Sequence, residues 1–231
     1  MEKLSYLLWN EGLESSPDAF RDRLLAGLPA PLADGGATGL TVSVVDSDVA
    51  AGSGLHMGPL KPDALVSFWL ECCQDRQAAE ATLAAHTRRH AGYLVVESHP
   101  LRLETPSSAR GERTQGFSLV GCIEPKPGVS PLDFVEIWER VHRDVAIETQ
   151  STFSYVRNEV VRPLTEDAPA WGGIVEEGFP SSALSNPQAF YDAVGDEPKY
   201  QANLKRMMDS VEAFLWMEKV DSHPMSEYRF G

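Results

Sequence analysis

Ser130-Pro131-Leu132-Asp133-Phe134 opens an amphipathic run that carries Trp138 and His142, and it repeats Ser16-Pro17-Asp18-Ala19-Phe20 near the start of the chain. A second pair of landmarks, Val96-Glu97-Ser98-His99-Pro100 and Val220-Asp221-Ser222-His223-Pro224, follows in the same order. Pro17 and Pro131 lie 114 positions apart, His99 and His223 124 apart, so the second copy is longer by about ten residues. Short matches kept in order at the start and end of each half are what a duplicated supersecondary unit leaves behind. Only the second copy has a histidine on its first helix: at the same offset, His142 meets Leu28 and Trp138 meets Leu24.

Working outward from these landmarks, each half reads β-α-β-β-α-β. In the first, strands are expected at 4–9, 39–45, 64–71 and 91–97, from apolar runs and period-two alternation. Helices are expected at 17–28 and 76–89, the first behind Ser16 with Pro17 in its first turn, the second Ala-rich and ending in cations. Residues 104–115 are polar and turn-forming and read as a linker. The second half follows with a strand at 117–123, a long helix at 131–150 and strands at 153–161 and 171–179. Helical segments at 187–211 break around 195–198, and a last strand at 213–220 leads into a polar tail. The division is therefore 1–103, a linker at 104–115, and 116–231. Two ferredoxin-like units, each with helices on one sheet face, leave the other faces needing cover. Packing those sheets face to face predicts an α+β fold, a pseudo-dimeric α+β barrel within one chain.

Composition narrows the partners. At 231 residues with 42% apolar content the chain can bury a substantial core. A net charge of −14 disfavours nucleic acid, whose surface is read through Lys and Arg. No leader-like or membrane-length apolar stretch is present, so a cytoplasmic protein with a small-molecule substrate is the expectation. A homodimer of the pseudo-dimeric chain stays open. Cys72, Cys73 and Cys122 do not form a disulfide framework and read as small buried hydrophobes.

On the 131–150 helix, Phe134, Trp138, Val141 and Val145 fall on one stripe with His142 on its flank, facing the gap between helix and sheet or its rim. An imidazole there either moves a proton or is a core histidine tied to a carbonyl. Lys126-Pro127-Gly128-Val129-Ser130-Pro131, then Trp138 and His142, then Tyr155-Val156-Arg157-Asn158, resembles the EthD family of dimeric α+β barrel proteins. Gly173-Ile174-Val175-Glu176-Glu177 and Ala202-Asn203-Leu204-Lys205-Arg206-Met207 read the same way, so the likeness covers residues 116–231. It implies one site per chain, in the second half, built from His142, Trp138, Tyr155 and Asn158. It leaves the reaction open, since relatives of this barrel include cofactor-free decarboxylases and dehydratases, isomerases and haem enzymes.

Tyr155 and Asn158 are three apart on a strand and should face opposite sides. With His142 as acid/base and Tyr155 or Asn158 holding an oxyanion, the expectation is a cofactor-independent lyase, a decarboxylase or dehydratase, for an aromatic or polyketide-like substrate. Arg157 is set to hold a carboxylate, Trp138, Trp171 and Trp216 to form apolar walls, and His56 to overhang the cleft from a Gly-rich loop. Glu176 and Glu177 alternate on one strand, so one of them faces the cavity; Glu176 is assigned to the site. His86 and His90, four apart at a helix end, lack partners for a metal set, and neither metal nor organic cofactor is expected. The alternatives are an oxidative or accessory role, haem-dependent or not, and a binder without turnover.

Overall fold

Both Ser-Pro pairs cap helices. Ser16 and Ser130 are extended, and each hydroxyl accepts a backbone N–H three residues on, from Ala19 and Asp133, at 3.1 Å. Proline then occupies the first turn, where its missing N–H costs no helical bond. The computed structural model describes residues 1–103 and 108–231. The first half contains β1 (Glu2–Trp9), α1 (Pro17–Gly27), α2 (Pro29–Asp34), β2 (Thr38–Val44), β3 (Ala64–Leu70), α3 (Gln77–His86) and β4 (Arg89–Leu101). The second contains β5 (Phe117–Ile123), α4 (Pro131–Ile137), α5 (Arg143–Thr149), β6 (Ser154–Pro163), β7 (Gly173–Phe179), α6 (Pro187–Phe190), α7 (Glu197–Phe214) and β8 (Asp221–Arg229).

The eight strands form one closed antiparallel barrel in the order β1-β3-β2-β8-β5-β7-β6-β4, with the helices outside. This corrects the expected pseudo-dimeric α+β barrel of two ferredoxin-like sheets packed face to face. The halves meet edge to edge: β2 pairs with β8, Val42 opposite Tyr228, and β4 pairs with β6, Val95 opposite Val160. Separate sheets would leave four strand edges with unpaired N–H and C=O groups, and closure pairs all of them.

Period-two alternation then divides every strand between two environments. In the first half the outward residues Leu4, Val66 and Phe68 bury against Phe20, Leu24, Leu28 and Leu83 of the helices. Inward residues from both halves, among them Leu7, Tyr93, Val120, Trp171, Ile174 and Met225, fill the barrel. Toward one mouth the filling turns polar. Lys3, 5% exposed, has its ammonium against Glu97, 2.8 Å from Asn158 Oδ1 and 3.6 Å from Glu176.

Several boundaries differ from expectation. The last strand is Asp221–Arg229, because α7 runs on through Phe214, and the supposed polar tail alternates into the barrel wall. His86 ends α3 while His90 sits in β4, so the two do not share a helix. Cys72 precedes a short 3-10 turn rather than sitting in β3; all three cysteines are free, and Cys73 and Cys122 are buried. Of the linker, residues 104–107 lie outside the described residues, and Gly111 and Thr114 hydrogen-bond β8 at Arg229 and Glu227. Among the described residues no helix is long and apolar enough to cross a membrane.

Removing one partner of a buried ion pair strands the other without water, at a cost of roughly 3–5 kcal/mol. Lys3→Ala removes the ammonium from between Glu97 and Glu176, and urea unfolding should show a loss of that size. A loss under about 1 kcal/mol would mean that the cluster does not hold the mouth together.

Candidate active site between the barrel and the second-half helices

The expected continuous helix at 131–150 is interrupted. Residues Trp138–His142 form one π-helical turn between α4 and α5. The wider turn changes the phase. Trp138 and His142 point inward, while Val141, expected on the apolar stripe, is 55% exposed. Single π turns of this kind occur often at functional sites. Trp138 lies flat on the sheet because β7 begins with glycine: a Cβ on Gly173 would stand 2.5 Å from the indole ring.

Beneath this turn lies a cavity of about 190 Å³. Its apolar wall includes Trp138, Val175, Met207, Met208, Val211 and Leu215; its polar members are His142, Gln150, Tyr155, Glu177, Tyr191 and Ser222. Strand register explains the grouping. Tyr155 of β6 stands opposite Glu177 of β7, which stands opposite Leu119 of β5, so the three share the helix-facing side.

Each polar group has a defined state. The indole N–H of Trp138 donates to the Tyr155 hydroxyl oxygen at 2.7 Å, which leaves the Tyr155 O–H free to donate elsewhere. Burial raises the Tyr155 pKa, and the neighbouring Glu177 carboxylate raises it further, so the phenol stays protonated. His142 Nδ1 is 3.0 Å from Ser210 Oγ, and its ring packs against Phe214 at 5.2 Å. Burial pulls its pKa down to about 4, so the imidazole is neutral at physiological pH. Glu177 makes no hydrogen bond or ion pair among the described residues, and the surrounding protein pushes its pKa up to about 7. It is half-buried because it borders the cavity. Gln150 Oε1 is buried without a partner.

The structure thus brings together His142, Trp138 and Tyr155 and leaves the other expected site residues elsewhere. Asn158 is fully buried on the barrel side, donating to Ile174 O at 3.1 Å and Glu176 Oε1 at 3.0 Å. Glu176 points the same way. Arg157 shares the helix-facing side but is held by Ser98 and Glu139, with its guanidinium 5.6 Å from the Trp138 ring. Trp171 belongs to the barrel core, and Trp216 stacks under Lys219 beyond α7. His56 is exposed and turned to the barrel's other mouth, its Nδ1 2.7 Å from His223 Nδ1. His223 Nε2 is in turn 2.7 Å from Asp221 Oδ1. The residues the sequence reading passed over are Glu177, Gln150 and Tyr191. Alternation of Glu176 with Glu177 was the available signal for the first, and it lacked only the face.

Residues 126–215 match the EthD domain. The matched span begins just before α4 and ends at Leu215, so it contains the π turn, β6, β7 and α7. Among solved structures, an anthrone oxidase-like protein superposes with a TM-score of 0.55 at 11% identity, over 100% of this chain and 93% of its own. A chlorite dismutase-like protein superposes at 0.52 with 12% identity, over 100% and 96%. At such identity these likenesses show the fold alone. No curated protein matches the chain.

A haem does not fit this cavity. Pockets for drug-sized ligands measure about 300–1,000 Å³, and this one, at about 190 Å³, is smaller than the lower bound. Its histidine is held by Ser210 and Phe214. Among the described residues, no three His, Cys, Asp or Glu side chains are grouped to hold a metal ion.

The raised Glu177 carboxyl makes stability depend on pH with a definite sign. Below its ordinary value of 4.5 it is protonated whether folded or unfolded, and costs nothing. Between 4.5 and about 7 the unfolded chain ionises first, so folding loses up to about 3 kcal/mol, and above 7 the loss is constant. Glu177→Gln removes this penalty. Its melting temperature should match wild type near pH 4, exceed it increasingly up to pH 7, and then keep a fixed lead. A pH-independent difference would refute the assignment. His142, depressed from 6.5 to about 4, acts in the other direction. Its contribution is complete above pH 6.5 and lost as pH falls through 4, so His142→Gln should flatten the acid limb of the same melting curve.

Proposed function

We propose that this EthD-domain protein is an enzyme that moves a proton on a small, largely apolar, oxygenated substrate held between the barrel and the second-half helices. The observation that carries the reading is Glu177: a carboxyl without a hydrogen-bond or ion-pair partner among the described residues, at the wall of an apolar cavity, opposite Tyr155 in the strand register. A carboxyl poised near pH 7 is matched to taking and returning a proton under physiological conditions. His142, neutral and with a pKa of about 4, is a hydrogen-bonding partner and a weak base, not the main proton carrier.

The reaction class that uses these groups without help is a lyase reaction. Glu177 takes a proton from the carbon beside a carbonyl. The C–H electron pair becomes the enolate, whose oxygen accepts the Tyr155 O–H, strengthened as a donor because Trp138 donates to the same hydroxyl. Collapse of the enolate expels a β-hydroxyl group, which leaves as water with the proton returned by Glu177. The first-half counterparts of Trp138 and His142, Leu24 and Leu28, are fully buried core, in keeping with one site per chain.

The test is turnover of cyclic β-hydroxy ketones in D₂O, followed by NMR for deuterium at the α-carbon and for loss of water. Wild type should show kcat/KM half-maximal near pH 7 and level above about pH 8, as Glu177 ionises. Glu177→Gln should fall by roughly 100- to 10,000-fold, whereas His142→Gln should keep most of its activity. EDTA should have no effect. A folded Glu177→Gln with near-normal turnover, or a larger loss in His142→Gln, would return the acid/base role to the histidine or remove it.

A further inference from the structure

The charge around the cavity says what kind of molecule can enter it. Glu177 is the one ionisable carboxyl among its lining residues, and no Lys or Arg lines it. Arg157 is not a lining residue; its guanidinium stands 5.6 Å from the Trp138 ring and is engaged by Glu139 and Ser98. Arg206, on the outer side of α7, pairs with Glu148 at 2.6 Å. A carboxylate or phosphate in the cavity would therefore sit beside Glu177 without a counter-ion, in a space whose walls are mostly Met, Val, Leu and aromatic. Desolvating an anion under those terms is unfavourable. The chain's net charge of −14 opposes its approach as well.

The free hydrogen-bonding valences favour a neutral ligand over a cationic one. The Tyr155 O–H needs an acceptor, because its oxygen is already taken by Trp138. An ammonium ion offers only donors and would leave that hydroxyl unmet. Gln150 Oε1, buried and unpartnered, and Glu177 both accept. A ligand that satisfies Tyr155 and Gln150 together presents one oxygen acceptor and one O–H donor on an apolar frame. Size sets the frame: an apolar cavity of about 150 Å³ holds benzene, so about 190 Å³ holds one substituted six-membered ring.

We infer that the cavity selects an uncharged single ring bearing a hydroxyl or keto oxygen and rejects carboxylates and ammonium ions, with Gln150 as a specificity-determining residue. This rests on the reading of Glu177 as the proton carrier and narrows it: loss of water from a neutral hydroxy ketone fits, and loss of carbon dioxide from a carboxylate does not.

Calorimetric titration at pH 7.5 with phenol, benzoate, benzylammonium and toluene tests the selection without requiring turnover. Phenol should bind about tenfold or more tightly than either ion. Gln150→Leu should weaken phenol while leaving toluene unchanged. Glu177→Gln should narrow the gap between phenol and benzoate. Circular dichroism confirms that both variants are folded, and the wild-type ranking stands even if one is not. Benzoate or benzylammonium binding as tightly as phenol would overturn the inference, even if Glu177→Gln abolishes turnover. Selection for phenol alongside full activity in Glu177→Gln would instead overturn the acid/base reading and leave the selection intact.

Discussion

Everything in this protein depends on pairing the strand edges. Two four-stranded sheets carry four rows of unsatisfied backbone groups, and the β2–β8 and β4–β6 ladders consume them by joining the halves into a ring. Once the ring is closed, alternation has no freedom left: a side chain points into the barrel or toward a helix, and a neighbour in sequence takes the other side. That constraint separates Glu176 from Glu177 and Asn158 from Tyr155. One member of each pair joins the Lys3 ion cluster inside the barrel, and the other borders the cavity outside it.

The two environments treat similar groups in opposite ways. Inside, burial works against ionisation of Glu97, yet the Lys3 ammonium and His99 outweigh it and hold the carboxyl below its ordinary range. Outside, Glu177 meets only burial, and its carboxyl rises toward neutrality. The contrast is the reason to read the first as structural and the second as chemical. A carboxylate that already has its ammonium is finished; one without a partner has capacity to spare. The π turn adds the ceiling to this site. An ideal helix through the same residues would have placed Val141 over the cavity edge, and the widened turn substitutes His142.

Much of this was legible in the residues. The Ser-Pro caps, the succession of strands and helices along the chain and the repeat landmarks are local, and local patterns survive reading. The step from strands to architecture failed because face-to-face packing and edge-to-edge closure use the same alternating strands; the difference lies in β4 and β6 being long enough to pair with each other, and strand ends are where apolar pattern fades. The 221–229 strand was hidden for a related reason. It is lined by Asp221, His223 and Glu227, buried polar residues with partners on remote segments at Leu60, His56 and Thr114. Within the site, helix phase pointed to Trp138 and His142. Glu176 stood in the expected site instead of Glu177 because alternation tells two adjacent residues apart without saying which is inside, and Gln150 was invisible because an amide after a helix usually just ends it.

The cavity's position outside the hydrogen-bonded ring has a mechanical consequence. A pocket within a closed barrel can admit a guest only through its mouths or by breaking ladder bonds, and one mouth here is tied by the Lys3 cluster. The space under α7 is walled on one side by the ladder and on the other by side-chain contacts, among them His142–Ser210 and Arg206–Glu148. Its door can therefore swing on a few side-chain contacts, while the cooperative part of the molecule stays shut. Exchange of a guest and survival of the fold are then separate motions with separate barriers, and loosening α7 hastens the first at little expense to the second.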